Sequence, residues 1–149
     1  MATTRLPHDF KEFLKLLNAH QVEYLLIGGY AVGYYGYPRA TADMDFWIAV
    51  NPGNADKIVA VLREFGFDSP DLSPKIFLQN WQIIRIGVPP VMIEIATTIS
   101  GVNFNDCFGQ RIEAELDGVK VNLISLHHLK MNKKASARHQ DLADLEHLP

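Results

Sequence analysis

With a single cysteine, Cys107, the chain can form no internal disulfide, and that fits a reducing compartment. No apolar run approaches the ~18 residues a membrane helix needs, and Met1 to Asp9 lacks the basic start and apolar middle of a secretion signal. A cytoplasmic protein with no membrane partner is therefore expected. A dominant charge is missing too: 14 Lys and Arg face 17 Asp and Glu, for a formal net charge of -3 and a pI near 6.0. That balance carries no global nucleic-acid signature, so any RNA contact must come from a local basic patch. Two phosphate-binding motifs are absent as well. No Gly-Lys-Ser or Gly-Lys-Thr follows the glycine pair at Gly28 and Gly29, and no GxGxxG occurs, which removes the Walker-type and dinucleotide-binding classes. There are no internal repeats and no low-complexity tracts.

What is present is 48% hydrophobic residues in 149 positions, the size and composition of a single globular domain spanning 1–149. Asp9 and Glu12 have capping-box spacing, and Phe10, Phe13, Leu14 and Leu17 recur at helical spacing, which predicts a first helix from near Asp9. Val22 to Ile27 reads as a buried strand that stops at Gly28-Gly29. Tyr30 to Tyr35 fits one or two helical turns, ended by Gly36 and Pro38. The next strand carries Asp43 and Asp45 and runs on to Val50. Asn51-Pro52-Gly53 is expected to turn, with Asn54 capping a helix that buries Ile58, Val61, Leu62 and Phe65. Asp68 to Pro74 reads as a loop, Ile76 to Leu78 and Trp81 to Ile86 as extended pieces, and Val91 to Ala96 as a strand. Asn103 to Phe108 is a short helix, and Asp117-Gly118 is the preferred pair for a two-residue hairpin between Arg111–Leu116 and Val119–Ile124. Ser125 is expected to cap a helix through Leu129 to Lys133, and a last helix from about Arg138 to Leu148 to bury Leu142 and Leu145. Strands alternating with helices predict a mixed α/β (α+β) domain with helices packed on a small sheet.

The chemistry concentrates in a few side chains. Alternation along a strand sends Asp43 and Asp45 to one face and Met44 and Phe46 to the other. Two adjacent carboxylates repel unless a hard divalent cation such as Mg²⁺ (or Mn²⁺) lies between them. Glu94 is the acidic residue of an otherwise apolar strand, and it completes a candidate metal cluster if the two strands are neighbours. Gly28 and Gly29 open the following helix, where backbone N–H groups can meet an anion. Arg39 precedes the aspartates, and Lys130, Lys133, Lys134 and Arg138 form a positive run. For that run the competing reading is a solvated helix face with Arg138 paired to Asp141. His127 and His128 are adjacent and diverge on a helix, a poor metal pair, and Cys107 has no zinc-type spacing.

Taken together, GGYAVGYYGYPRATADMD and the later LHHLKMNKKASARHQDLADLEHL resemble the polymerase-β-type nucleotidyltransferase superfamily. They are most similar to small prokaryotic proteins written GGxAVxxHGxxRxTxDxD, the minimal nucleotidyltransferases and abortive-infection toxins. The matching positions are Gly28, Gly29, Ala31, Val32, Gly36, Arg39, Thr41, Asp43 and Asp45, then Lys133, Arg138, Asp141 and Asp144. Tyr35 stands where the pattern has His, and Glu94 where Asp is common. The resemblance implies a mixed sheet flanked by helices and an NTP with Mg²⁺ as donor of a nucleoside monophosphate. It also implies metal ligation and catalysis by Asp43, Asp45 and Glu94, with nucleotide contacts from Gly28, Gly29, Arg39, Thr41, Lys133 and Arg138. The acceptor hydroxyl is left open between an RNA end such as tRNA, a protein and a small molecule, and an antitoxin partner is implied for the toxin type. The same fold with a relaxed site, acting as a binding or regulatory module, is the alternative reading.

Overall fold

Residues 5–149 are described by the computed structural model; the first residues of the Met1 to Asp9 segment lie outside them. Phe10, Phe13, Leu14 and Leu17 fall on one buried face of α1 (His8–Ala19). The helix starts at Pro7 without a side-chain cap, so the Asp9–Glu12 box is not formed. The Pro7 carbonyl accepts the Lys11 N–H instead, and Asp9 sits in the first turn, where a negative charge complements the helix dipole.

Strand β1 (Tyr24–Ile27) runs straight into α2 (Gly28–Tyr34), and β2 (Asp43–Ile48) returns beside it. After α3 (Pro52–Glu64) and a short 3-10 helix (Pro74–Leu78) come β3 (Ile83–Val88), β4 (Val91–Ala96), α4 (Phe104–Gly109), β5 (Ile112–Leu116) and β6 (Val119–Leu123). Helices α5 (Leu126–Ser136) and α6 (His139–His147) close the chain. The six strands form one mixed sheet in the order β3-β4-β2-β1-β6-β5. Parallel pairing joins β2 to β4 and β1 to β6, and the other three pairs are antiparallel. The α/β architecture expected from the alternating pattern is therefore the one observed.

Alternation along β2 sorts the molecule into two sides. Met44, Phe46 and Ile48 are fully buried, and Phe46 packs on Phe13 and Tyr24 with ring centroids 5.5 and 5.6 Å apart. The opposite face carries Asp43, Asp45 and Trp47, the last held by its indole N–H donating to the Thr97 carbonyl at 3.2 Å. The hairpin forms as expected, with Asp117 and Gly118 both at positive φ (48° and 79°), the backbone that a tight two-residue turn demands. Ser125 caps α5 by accepting the His128 N–H.

Three local expectations are corrected. Ile76 to Leu78 lies in the 3-10 helix, because Ser73 accepts the Lys75 N–H and Pro74 sets a helical φ behind it. Asn51, not Asn54, caps α3, with Pro52 just inside the helix. In α6 Leu142 is 47% exposed, whereas Asp141 and Asp144 are the buried residues. Among the described residues no helix is long and apolar enough to cross a membrane.

Freed from capping, Asn54 is 2% exposed and binds the Glu23 N–H, the Glu23 carbonyl and the Ala49 carbonyl at 2.8, 3.1 and 2.8 Å. It stitches α3 to the start of β1 and the end of β2. Asn54→Ala takes this partner from the Glu23 N–H and the Ala49 carbonyl, while the Glu23 carbonyl keeps the Ala49 N–H, and is expected to cost about 2–4 kcal/mol, read as a lower urea midpoint with an unchanged m-value.

Candidate active site

Parallel pairing of β2 with β4 sets Asp45 directly opposite Glu94, and the carboxylates of Asp43, Asp45 and Glu94 each bring an oxygen within 4.8 Å of the others. All three side chains are half-buried. On the other flank of β2, Ile27 is the register partner of Asp45, so the chain enters α2 against that carboxylate. Gly28 has a φ of +72°, and a Cβ there would fall 2.1 Å from Asp45 Oδ2. Only glycine satisfies both the backbone and the contact. A Cβ at Gly29 would fall 2.7 Å from Thr41 Oγ1, and that hydroxyl donates to the Asp43 carbonyl at 3.1 Å. Glu94 meets a cation on its far side, where Arg85 Nε and Nη2 each donate to Oε1 at 3.3 Å.

Burial pushes the Asp45 carboxyl up to about 7, and proton sharing with Glu94 together with the nearby negative charges of Glu94 and Asp43 adds to that. Lys133 opposes the shift. Asp45 Oδ1 is buried with no hydrogen-bond partner among the described residues, an unusual state for a buried carboxylate oxygen. The donor set therefore fits a hard divalent cation: three carboxylates in reach of one point, one of them with an uncommitted oxygen.

Asp45 and Glu94 open into a cleft of about 460 Å³ whose lining includes Gly28, Lys133 and Arg138 together with Trp81, Ile83 and Asn132. Lys133 is 4% exposed, with Nζ 3.1 Å from both Asp141 and Asp144. Asp144 also accepts a bidentate pair from Arg39 at 2.8 and 3.0 Å and a bond from Gln140. Asp141 accepts from the Arg138 backbone N–H and guanidinium. Burial works to raise both carboxyls, but their hydrogen bonds to Arg138, Lys133 and Arg39 win, and both lie below the usual carboxylate range. Three cations face two carboxylates in this network, and the surplus positive charge stands next to the acidic triad.

Of the sequence-derived site residues, the structure gathers Gly28, Asp43, Asp45, Glu94, Lys133 and Arg138 in one place. Asp43, Arg39, Thr41 and Gly29 are not among the cleft-lining residues; Asp43 joins the site through the carboxylate cluster. Arg39 is committed to Asp144, and Gly29 and Thr41 brace the start of β2. Tyr35, which replaces the usual His, donates its hydroxyl to the Ile124 carbonyl at 2.6 Å and so ties the end of α2 to the strand β6 exit. Sequence reasoning missed Arg85 and Trp81. An Arg two residues from a strand end has no spacing signal, because only the β3–β4 register reveals its partner.

Because the folded Asp45 carboxyl sits at about 7 against an ordinary value of 3.8, its contribution to stability is complete at low pH and is lost as pH rises from about 4 through 7. Asp45→Asn removes that loss. In EDTA the variant should unfold at a higher temperature than the native protein at pH 8, with the gap closing toward pH 4 in a calorimetric series.

No protein-family model matches the sequence, and comparison with curated proteins returns no match. Solved structures do match. A candidate nucleotidyltransferase of Thermotoga maritima superposes with a TM-score of 0.59 at 16% identity, over 92% of this chain and 86% of that one. The antibiotic-resistance factor ANT(2'')-Ia gives 0.59 at 11% identity, over 93% and 79%. The lincosamide antibiotic adenylyltransferase LnuA, solved with lincomycin bound, gives 0.56 at 14% identity over 97% of each chain. At such identities the likeness is one of fold, and the fold of this chain is the nucleotidyltransferase fold.

Proposed function

We propose that this protein is a divalent-metal-dependent nucleotidyltransferase that moves a nucleoside monophosphate from an NTP to an acceptor hydroxyl with release of pyrophosphate. The observation that carries the reading is the carboxylate triad set against the Gly28 turn, with Asp45 Oδ1 left without a partner. Asp43, Asp45 and Glu94 would hold Mg²⁺ or Mn²⁺. When bound, such an ion screens phosphate charge and lowers the pKa of a hydroxyl beside it.

The chain's own groups supply the rest. Amides in the first turn of α2 lack intrahelical partners, and at Gly28 they reach the cleft wall without a side chain in the way. Lys133 is held rigid by two carboxylates, so its positive charge is preorganised toward the phosphates and needs no rearrangement as charge moves to pyrophosphate. Arg138 is paired to Asp141 at 2.8 Å yet has its side chain 77% exposed, so it presents positive charge at the rim of the cleft for the leaving group. Arg39 and Thr41 act one step back: Arg39 fixes Asp144 and thereby Lys133, and Thr41 fixes the backbone of Asp43. The acceptor search begins with small hydroxylated molecules, in view of the lincosamide adenylyltransferase, and continues with tRNA ends and protein hydroxyls. A toxin role with an antitoxin partner, a cytoplasmic location and a single domain over the whole chain are carried by the sequence reading alone.

Transfer of label from α-phosphate-labelled NTPs to these acceptors is the test. Asp45→Ala should lower it roughly 10²-fold or more and abolish the Mg²⁺-dependent rise in melting temperature that millimolar NTP gives the native chain. Gly28→Ala should do the same by displacing Asp45. Transfer that survives Asp45→Ala overturns the reading, and NTP binding without turnover on any acceptor moves the protein to the relaxed, regulatory alternative.

A further inference from the structure

An NTP or a nucleic-acid end brings a flat, weakly hydrated ring into the cleft as well as phosphates, and a ring is best held by another ring. Of the two tryptophans, Trp47 is 2% exposed and packs on Phe104 at 5.1 Å. Trp81 is 65% exposed, lines the cleft, and makes no aromatic contact among the described residues. Its backbone is also in the left-handed region, at a φ of 59°, a conformation that bulky residues seldom adopt. That conformation is over-determined locally. The Trp81 N–H donates to Thr98 Oγ1 at 2.9 Å, and the Gln82 N–H donates to Thr97 Oγ1 at 3.0 Å. Ile83, 57% exposed, stands next to it in the same wall. A large apolar surface held open in a constrained conformation beside charged groups marks a binding site more often than a core.

We propose that Trp81 is a stacking platform for a nucleobase at the end of the cleft away from Gly28. The inference rests on the nucleotidyltransferase reading and names the ring-binding part of that site. Gly28 follows Ile27 beside Asp45 and Glu94, whereas Trp81 is bonded to Thr98, four residues beyond Glu94, an offset of about 13 Å along the strand direction. In-line displacement also requires the acceptor to enter the same cleft as the donor. The base on Trp81 is accordingly the donor's own or one at the end of an acceptor strand.

Tryptophan emission of the native chain and of Trp81→Phe isolates the Trp81 signal. The probes are each Mg-NTP, Mg-tripolyphosphate and a four-nucleotide oligoribonucleotide. A base-bearing ligand should quench Trp81, and Trp81→Ala should weaken its binding about tenfold or more. Mg-tripolyphosphate affinity should be unchanged, and Trp81→Phe should restore most of the lost binding. Loss with NTPs assigns the donor base, and loss with the oligonucleotide alone assigns the acceptor end. Native affinity of Trp81→Ala for both base-bearing ligands overturns the proposal while leaving the parent reading intact. Failure of NTPs and tripolyphosphate alike to bind the native chain with Mg²⁺ overturns the parent reading, and this inference with it. The side chain is mostly in solvent, so an unchanged melting temperature of the variant serves as the folding control.

Discussion

The register between β2 and β4 is the constraint on which the rest depends. It places Asp45 beside Glu94 with Asp43 at the same edge, an arrangement that burial and like charge both oppose. Burial and the neighbouring carboxylates accordingly push the Asp45 carboxyl up to about 7. Sliding β4 by one residue would exchange its two faces and send Glu94 into the hydrophobic layer while Ile93 or Ile95 faced the cleft. The buried Ile93 and Ile95 therefore enforce the register, and so the hydrophobic core on one side of the sheet holds the carboxylates together on the other.

A second buried charge arrangement answers the first. Lys133, Asp141 and Asp144 are each at most 4% exposed, and desolvation of such groups is tolerated only when every partner is present. Here each carboxylate accepts at least three hydrogen bonds, shared among Arg39, Lys133, Arg138 and Gln140. Helix α6 is consequently docked by charge where an amphipathic helix would be docked by leucines. The network fixes α5 against the cleft and leaves a surplus cation next to the triad. Removal of either carboxylate would leave the buried Lys133 short of compensation, so rigidity of Lys133 and attachment of α6 are a single property.

Much of this was legible without coordinates. Period-two alternation put Asp43 and Asp45 on one face, Asp117-Gly118 announced a hairpin, and Ser125 announced a helix start, because each rests on interactions within a few residues. The failures share the opposite cause. Asn54 has the chemistry of a cap and lies next to a turn, but its side chain is drawn to Glu23, 31 positions away. Leu142 and Leu145 are the apolar choice for the inner face of α6; Leu145 stays half-buried, but Leu142 is displaced by Asp141 and Asp144, the latter drawn in by Arg39, 105 positions away. Ile76 to Leu78 is too short for hydrophobic periodicity to tell strand from 3-10 helix.

For the candidate site the division is similar. Residue types and local spacing by themselves determined the carboxylate pair, the glycine turn and the presence of a third acid and a basic run, because strand pleat and backbone sterics act over two or three residues. Only the tertiary structure decided that Glu94 stands opposite Asp45, that Lys133 reaches the triad while Arg39 stops at Asp144, and that Arg85 and Trp81 border the cleft. Those outcomes depend on strand order, sheet register and helix docking, which are set by the burial and charge pairing of residues far apart in the chain. No spacing along the sequence encodes them.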